Sequence, residues 1–221
     1  MLRTDRRRAR LVAALRAKGI GDERVLAAIG RIPRHEFVRD GALRHQAYDD
    51  VALPIGDEQT ISQPFTVAAM TTLARVRPGD RVLEVGTGSG YQAAVLAELG
   101  ARVFSVERHK TLLATTDPLL ARLGYRVRTR AGDGTKGWPA LAPFDAILVT
   151  AGGALPPALV EQLRAPEPAR AGGPRPGGRL VIPLGTRGAM RLHRITRTGP
   201  GPDEVSDEAL MPVSFVPLIE G

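Results

Sequence analysis

The chain has 221 residues, enough for one well-buried core and a small appendage, and its 43% apolar content sets it apart from disordered chains. It has no cysteine, which excludes disulfides, thiolate metal sites and a cysteine nucleophile. The net charge of +8 comes from 31 basic against 23 acidic residues, with Lys18, Lys110 and Lys136 the only lysines. It reads as arginine-rich composition spread over solvated faces, the alternative being attraction to an anionic partner.

The basic stretch Met1 to Lys18 carries an apolar run of only Leu11 to Leu15, too short for a signal-peptide core. Arg6 to Lys18 reads as an amphipathic helix closed by Gly19. Its cluster of Arg3, Arg6, Arg7, Arg8 and Arg10 has no interleaved aromatic residues for base stacking. Asp22 is placed to cap a second helix, Glu23 to Ile29, which Ile32-Pro33-Arg34 breaks. A short helical piece is expected within His35 to Gln46. Tyr48 to Gln63 shows no clear period and reads as a long polar loop, a kind that is usually functional. Thr66 to Ala74 is expected to be helical, and Pro78-Gly79-Asp80 a turn.

Val82-Leu83-Glu84-Val85 reads as a buried strand, running through Gly86-Thr87-Gly88-Ser89-Gly90 into a helix from Tyr91 to Leu99. A glycine turn between strand and helix brings bare backbone close to a ligand, and the helix N-terminus offers free N–H groups. The second strand, Arg102 to Val106, ends at Glu107, 21 residues after Gly86 (107 − 86). A doubly wound nucleotide site places its ribose-holding carboxylate at about this distance. The glycine spacing is G-x-G-x-G, whereas a dinucleotide fingerprint is G-x-G-x-x-G.

Strands and helices then alternate. A helix from Thr111 to Leu123 is expected to be interrupted or kinked at Asp117-Pro118. Strands follow at Arg126 to Arg130, leading into Gly132-Asp133-Gly134, and at Ala146 to Thr150, with a helix from Pro156 to Leu163. Ala165 to Pro176 reads as a mobile insertion. Arg179 to Pro183, Met190 to Arg197 and Glu208 to Val216 read as the last strands, the alternation over 190–197 suiting an antiparallel one. The longest uncharged run, Ala146 to Val160, is broken by Gly152, Gly153, Pro156 and Pro157 and is too short to span a membrane. A soluble, cytoplasmic monomer is expected. Repeated strand–helix units predict an α/β fold with a doubly wound, Rossmann-like sheet, mostly parallel with antiparallel C-terminal strands, and an N-terminal helical segment. The whole chain is taken as one domain, with residues 1–77 forming N-terminal helices and a substrate loop and 78–221 the nucleoside-binding core.

The V-L-E-V-G-T-G-S-G run resembles the first motif of S-adenosylmethionine-dependent methyltransferases. Further segments, in order, resemble one family, protein-L-isoaspartate O-methyltransferase. They are Ile32-Pro33-Arg34 with Phe37-Val38, Ala47-Tyr48-Asp49-Asp50, Leu53-Pro54-Ile55-Gly56, Gln59 to Pro64, Gly132-Asp133-Gly134, Phe144 to Ile147, Gly177 to Gly185 and Val213 to Leu218. The resemblance implies methylation of the free α-carboxylate of isoaspartyl or D-aspartyl residues in damaged proteins, with S-adenosylmethionine as donor and S-adenosylhomocysteine as product. By the same resemblance Ser62 is the catalytic residue that contacts the acceptor carboxylate, and Thr60, Ile61 and Gln63 shape the peptide slot. Glu84 with Gly86, Thr87, Gly88, Ser89 and Gly90 holds the methionine part of the cofactor. Glu107 binds the ribose hydroxyls, and Asp133 faces the adenine edge, with Gly132 and Gly134 turning the chain beneath it. No metal is expected: His35, His45, His109 and His193 lack ligand spacing and read as structural or surface residues. Trp138 reads as packing.

Four features depart from the family pattern. Asp57-Glu58 stands where a small or aromatic residue and a glycine are usual. Thr150-Ala151-Gly152-Gly153 replaces Thr-Ala-Ala, which is expected to loosen the wall beside the cofactor. The Asp117-Pro118 step and the 165–176 insertion are the others. They leave room for a carboxyl methyltransferase dedicated to one peptide, or for an inactive cofactor-binding homologue. A nucleic-acid amino-methyltransferase would want an Asn/Asp-Pro-Pro-aromatic motif after the fourth strand, which Thr150 to Pro157 lacks, so no nucleic-acid partner and no membrane partner are expected. An NAD-dependent oxidoreductase is disfavoured by the third glycine.

Overall fold

The computed structural model describes residues 2–170 and 173–221. The arginine-rich start forms helix α1, Leu2–Ala17, with Gly19 at φ +95 just beyond it. Helix α2, Glu23–Arg31, is capped by Asp22, whose carboxylate accepts from the amides of Arg24 and Val25. After Pro33 the expected helical piece is two short 3₁₀ turns, Arg34–Phe37 and Gly41–Gln46.

The stretch read as an irregular loop contains a hairpin, β1 at Leu53–Gly56 and β2 at Gln59–Ile61. Its turn residues Asp57 and Glu58 have φ of +50 and +57. That left-handed pair is what a two-residue hairpin turn requires, and it is normally supplied by Asn-Gly or Asp-Gly. Helix α3, Pro64–Ala74, starts with proline in its first turn, where no amide partner is needed.

The α/β core follows: β3 Arg81–Val85, α4 Tyr91–Glu98, β4 Arg102–Glu107, α5 Lys110–Arg122, β5 Val127–Ala131, β6 Ala146–Val149 and α6 Pro157–Glu161. Helix α5 continues through Pro118, where a break was expected. Asp117 beside it accepts from Thr129 Oγ1 at 2.9 Å, tying the helix to β5. Helix α6 is shorter than expected because Gln162 turns inward, its amide donating to Lys136 O and Ala158 O. The 165–176 segment is not a featureless insertion. It holds an antiparallel pair, β7 Glu167–Arg170 and β8 Gly173–Arg175, with 171–172 outside the described residues. Strands β9 Arg179–Leu184, β10 Met190–Arg197 and β11 Val205–Val213 complete the chain's regular structure. β11 begins three residues earlier than expected because Arg197 pairs with Val205 directly after the turn.

The main sheet has seven strands in the order β11-β10-β9-β6-β3-β4-β5. β9, β6, β3, β4 and β5 are parallel, while β10 runs antiparallel to both its neighbours. Strand alternation splits the apolar side chains into two layers. Val82 packs with the N-terminal helices and α4, while Leu83 packs with Phe104, Phe144 and Leu159 on the other face. The first layer joins side chains from α1, α2, α3 and the sheet in one core. Because β4 and β6 flank β3 on opposite sides, the chain reverses direction at the carboxyl end of β3. Doubly wound sheets bind ligands at that switch point.

Candidate cofactor and acceptor site

β3 delivers the chain to Gly86 at φ +96, where a Cβ would run into Thr150 Oγ1. The Thr150 hydroxyl donates to Val85 O (3.0 Å) and Gly86 O (2.8 Å), stitching the ends of β3 and β6 together. Gly88, at φ +52, donates its amide to Glu107 Oε2 at 2.7 Å. Gly90 also sits at positive φ, +85, but its lack of a Cβ serves packing. A methyl there would stand 2.8 Å from Thr116 Cγ2 of α5, and Gly90 does not line the cavity.

Glu107 is 4% exposed, and its second oxygen accepts the His109 amide at 2.9 Å. Its carboxylate therefore lies at the mouth of β4, fixed by two backbone amides, on the wall of a cavity of about 1040 Å³. Thr87, Ser89 and Gly134 line the same cavity. The cavity is also lined by the segment expected to hold the acceptor: Thr60, Ile61, Ser62 and Gln63, with Phe65 beyond. Gln63, not Ser62, stands at the N-cap of α3, so the Ser62 hydroxyl is not spent on capping. The structure thus brings ten of the thirteen expected site residues onto one surface; Glu84, Gly90 and Asp133 are not on it.

Glu84 is wholly buried on the helix-facing side of β3. Burial pushes its carboxyl up to about 8, against the opposing hydrogen bond from Ser105 Oγ (2.5 Å to Oε2). Ser105 in turn meets Thr87 Oγ1 at 2.6 Å. Glu84 thus supports the glycine turn from beneath. Asp133 caps the 3₁₀ turn Gly134–Lys136. Burial would raise its carboxyl, but hydrogen bonds from Thr135 and from the Gly221 amide outweigh this and hold it at about 2.

Sequence reasoning missed one wall. Residues 211–219 leave β11 and cross the cavity. Gly152 anchors them, its amide donating to Val216 O (2.8 Å) and its carbonyl accepting from Leu218 N (2.8 Å). A Cβ at Gly152 would lie 2.5 Å from Met190 Sδ. Gly152-Gly153 therefore does not loosen the wall as expected: Gly153 also bonds Pro183 O (3.2 Å) and Gly185 N (3.1 Å) on its other side. The signal was present in Val213 to Leu218, which carried part of the family resemblance. Asp57 is likewise occupied, accepting from Thr111 Oγ1 at 2.6 Å. Of the four histidines, His35 bonds Tyr48 Oη (2.7 Å), His45 bonds Ala42 O (2.7 Å) and His193 bonds Asp207 (2.8 Å), while His109 lies on the cavity wall. Trp138 packs against Phe104 with the Arg130 guanidinium 4.7 Å from its ring.

A glycine turn at the switch point of this sheet, followed by a carboxylate at the end of the next strand, is the geometry of a nucleoside site, and its G-x-G-x-G spacing is that of the class of S-adenosylmethionine-dependent methyltransferases. Known proteins narrow it. The family model for Protein-L-isoaspartate(D-aspartate) O-methyltransferase matches residues 6–221. A protein-L-isoaspartate O-methyltransferase from Salinibacter ruber is 58% identical over 96% of this chain and 91% of its own length. Among solved structures, a protein-L-isoaspartate O-methyltransferase superposes with a TM-score of 0.81 at 28% identity, covering 95% of this chain, which spans 65% of that longer one. A Plasmodium falciparum chain assigned the same activity, solved with S-adenosyl-L-homocysteine, gives 0.78 at 25% identity over 96% and 97% of the two chains. The chain belongs to the protein-L-isoaspartate (D-aspartate) O-methyltransferase family.

Proposed function

We propose that this chain methylates the α-carboxylate of L-isoaspartyl and D-aspartyl residues in proteins, and that Ser62 and the glycine turn carry the reaction. The observation behind the reading is that the acceptor segment Thr60 to Gln63 and the turn Gly86 to Ser89 face one cavity. The residues present suit S-adenosylmethionine: the backbone of Gly86 to Ser89 on the cavity wall, a strand-end carboxylate at Glu107 for ribose hydroxyls, and Asp133 behind Gly134 on the adenine side. When bound, that donor supplies an electrophilic methyl on a sulfonium and leaves as S-adenosylhomocysteine.

The acceptor is ionised at pH 7 because its pKa is about 4, so no side chain has to remove a proton. One carboxylate oxygen forms the new O–CH₃ bond as the S–CH₃ bond breaks. What the protein contributes is alignment and exclusion of water. The Ser62 hydroxyl orients the acceptor, and residues 211–219 cover it. The ester then makes the carbonyl a target for the next backbone nitrogen. A succinimide closes without further help, and its hydrolysis returns normal aspartate in part.

The finer readings are proposals as well. The chain is read as one domain acting as a monomer, with residues of one chain lining the cavity from Ala52 to Ile219. Its acceptors are read as proteins rather than nucleic acid, in keeping with the family to which the chain belongs. No described helix is long and apolar enough to cross a membrane, and we place the protein in the cytoplasm. The test is labelled methyl transfer to paired peptides differing only in isoaspartate versus aspartate. Base-labile label on the isoaspartyl peptide alone is expected. Cofactor binding without label on either peptide would overturn general repair.

A further inference from the structure

Arg34 is the largest side chain that is completely buried, with no exposed surface at all. It sits in the 3₁₀ turn after Pro33, outside the cavity wall. A guanidinium taken wholly out of water is costly unless its charge and donors are used. Here no carboxylate among the described residues lies within ion-pair distance. The nearby Asp50 is engaged elsewhere, accepting from Lys18 Nζ (2.6 Å) and the Phe65 amide (2.7 Å). Burial lowers the Arg34 pKa, though arginine stays charged.

Of its three nitrogens only Nη2 is hydrogen-bonded, while Nε and Nη1 are buried without a hydrogen-bond partner, so what holds Arg34 here is the Nη2 contacts and the neighbouring ring. One nitrogen, Nη2, donates to Ser62 O at 3.0 Å and to Val51 O at 3.3 Å. These two carbonyls lie just outside the open end of the β1–β2 hairpin, Val51 two residues before β1 and Ser62 directly after β2. The plane of the guanidinium rests 4.6 Å from the ring of Tyr91, the first residue of α4. Phe37, from the same turn as Arg34, packs edge-on to that ring at 5.5 Å. Arg34 therefore ties the base of the acceptor hairpin to the helix that follows the glycine turn. From the other side Asp50 holds the next residues: its carbonyl accepts from Gln63 Nε2 at 2.9 Å, and its carboxylate takes the Phe65 amide.

We infer that Arg34 is a positioning residue for the acceptor: it clamps the two ends of the hairpin so that Ser62 is presented at a fixed height above the cofactor turn. The inference rests on the reading of Ser62 given above. Lysine in its place keeps the charge and one donor but loses the planar guanidinium beside Tyr91, while methionine loses charge, donor and plane.

The experiment compares wild type, Arg34→Lys and Arg34→Met in three measurements: KM for an isoaspartyl peptide, the Kd for S-adenosylhomocysteine, and hydrogen exchange by segment. With the clamp removed, Arg34→Met raises the peptide KM about tenfold or more, the cost of two charged hydrogen bonds lost to the Val51 and Ser62 carbonyls. The Kd for S-adenosylhomocysteine stays within about twofold. Arg34→Lys recovers part of the KM, and exchange rises over 51–63 while α4 and α5 stay protected. If Arg34→Met does not fold, Arg34→Lys alone carries the same split between KM and Kd. Parallel loss of peptide and cofactor binding, or faster exchange throughout, would make Arg34 a general stabiliser and overturn the inference. Unchanged KM and unchanged exchange would overturn it too. Wild-type protein inactive on isoaspartyl peptide would instead strike the functional reading, and the exchange pattern would still decide the clamp.

Discussion

The buried carboxyl of Glu84 makes stability depend on pH in a predictable direction. In the folded protein it gives up its proton only near pH 8, because the charged form is desolvated beneath the glycine turn. In the unfolded chain it behaves as an ordinary carboxyl near 4.5. Below that value both states hold the proton, and the group costs nothing. As pH rises further the unfolded state releases its proton while the folded state retains it, so each pH unit costs about 1.4 kcal/mol. By pH 7 the accumulated burden is about 3 kcal/mol, and it levels off above the folded-state value. Glu84→Gln removes the titration while keeping a carbonyl oxygen for the Ser105 hydroxyl, which now donates to Oε2 at 2.5 Å. The variant should therefore be more stable than wild type at pH 7 by up to about 3 kcal/mol, and nearly equal to it at pH 4.5. Urea unfolding of both proteins between pH 4.5 and 9 measures this. Parallel pH profiles would refute the reasoning and return Glu84 to the state of an ionised, solvated group. The same samples test its place in the site. Since Glu84 does not line the cavity, the affinity for S-adenosylhomocysteine should hardly change.

Four further outcomes are expected. Ser62→Ala lowers kcat on an isoaspartyl peptide by about tenfold or more while cofactor affinity stays near wild type; unchanged turnover removes Ser62 from the reaction. Glu107→Ala weakens S-adenosylhomocysteine binding by about tenfold or more, as read by calorimetry, because it removes the proposed ribose partner and frees the Gly88 and His109 amides together. Gly86→Ala sets a methyl against Thr150 Oγ1 at φ +96 and should cost about 2 kcal/mol or more of stability, measured by thermal unfolding, along with cofactor binding. Glu58→Gly relieves a left-handed residue at φ +57 and should raise stability by about 1 kcal/mol, with a drop in the unfolding midpoint as the contrary result.

Most of the α/β core could be read from the chain because apolar runs and glycine punctuation repeat there without competition. The strands starting at Arg102, Ala146, Arg179 and Met190 lie where periodicity puts them. The errors fall where long-range contacts override local pattern. Asp57-Glu58 adopts a glycine-like turn because strand pairing and Thr111 hold it there. Pro118 stays within α5, whose buried Leu112, Leu113, Thr116 and Leu120 make one packed face. The cavity wall was legible where residue type alone restricts the backbone, at Gly86 and Gly88 with their positive φ, and at Glu107 on the end of its strand. Glu84 and Asp133 were placed on the right strand and turn, yet the direction of their side chains is set by Ser105, Thr135 and Gly221, far from them in sequence or invisible in any motif. The wall formed by residues 211–219 depends on Gly152 and could not be deduced from either stretch alone.

That wall sets the order in which the site comes into being. The glycine turn and Glu107 belong to the middle of the chain, but the cavity is shut only by residues made after the two antiparallel strands β10 and β11 have paired. During synthesis from the N-terminus, the nucleoside face exists as an open ledge long before it has a roof. The covered cavity is therefore a late product of folding, one that waits for the sheet to be completed to its last strand.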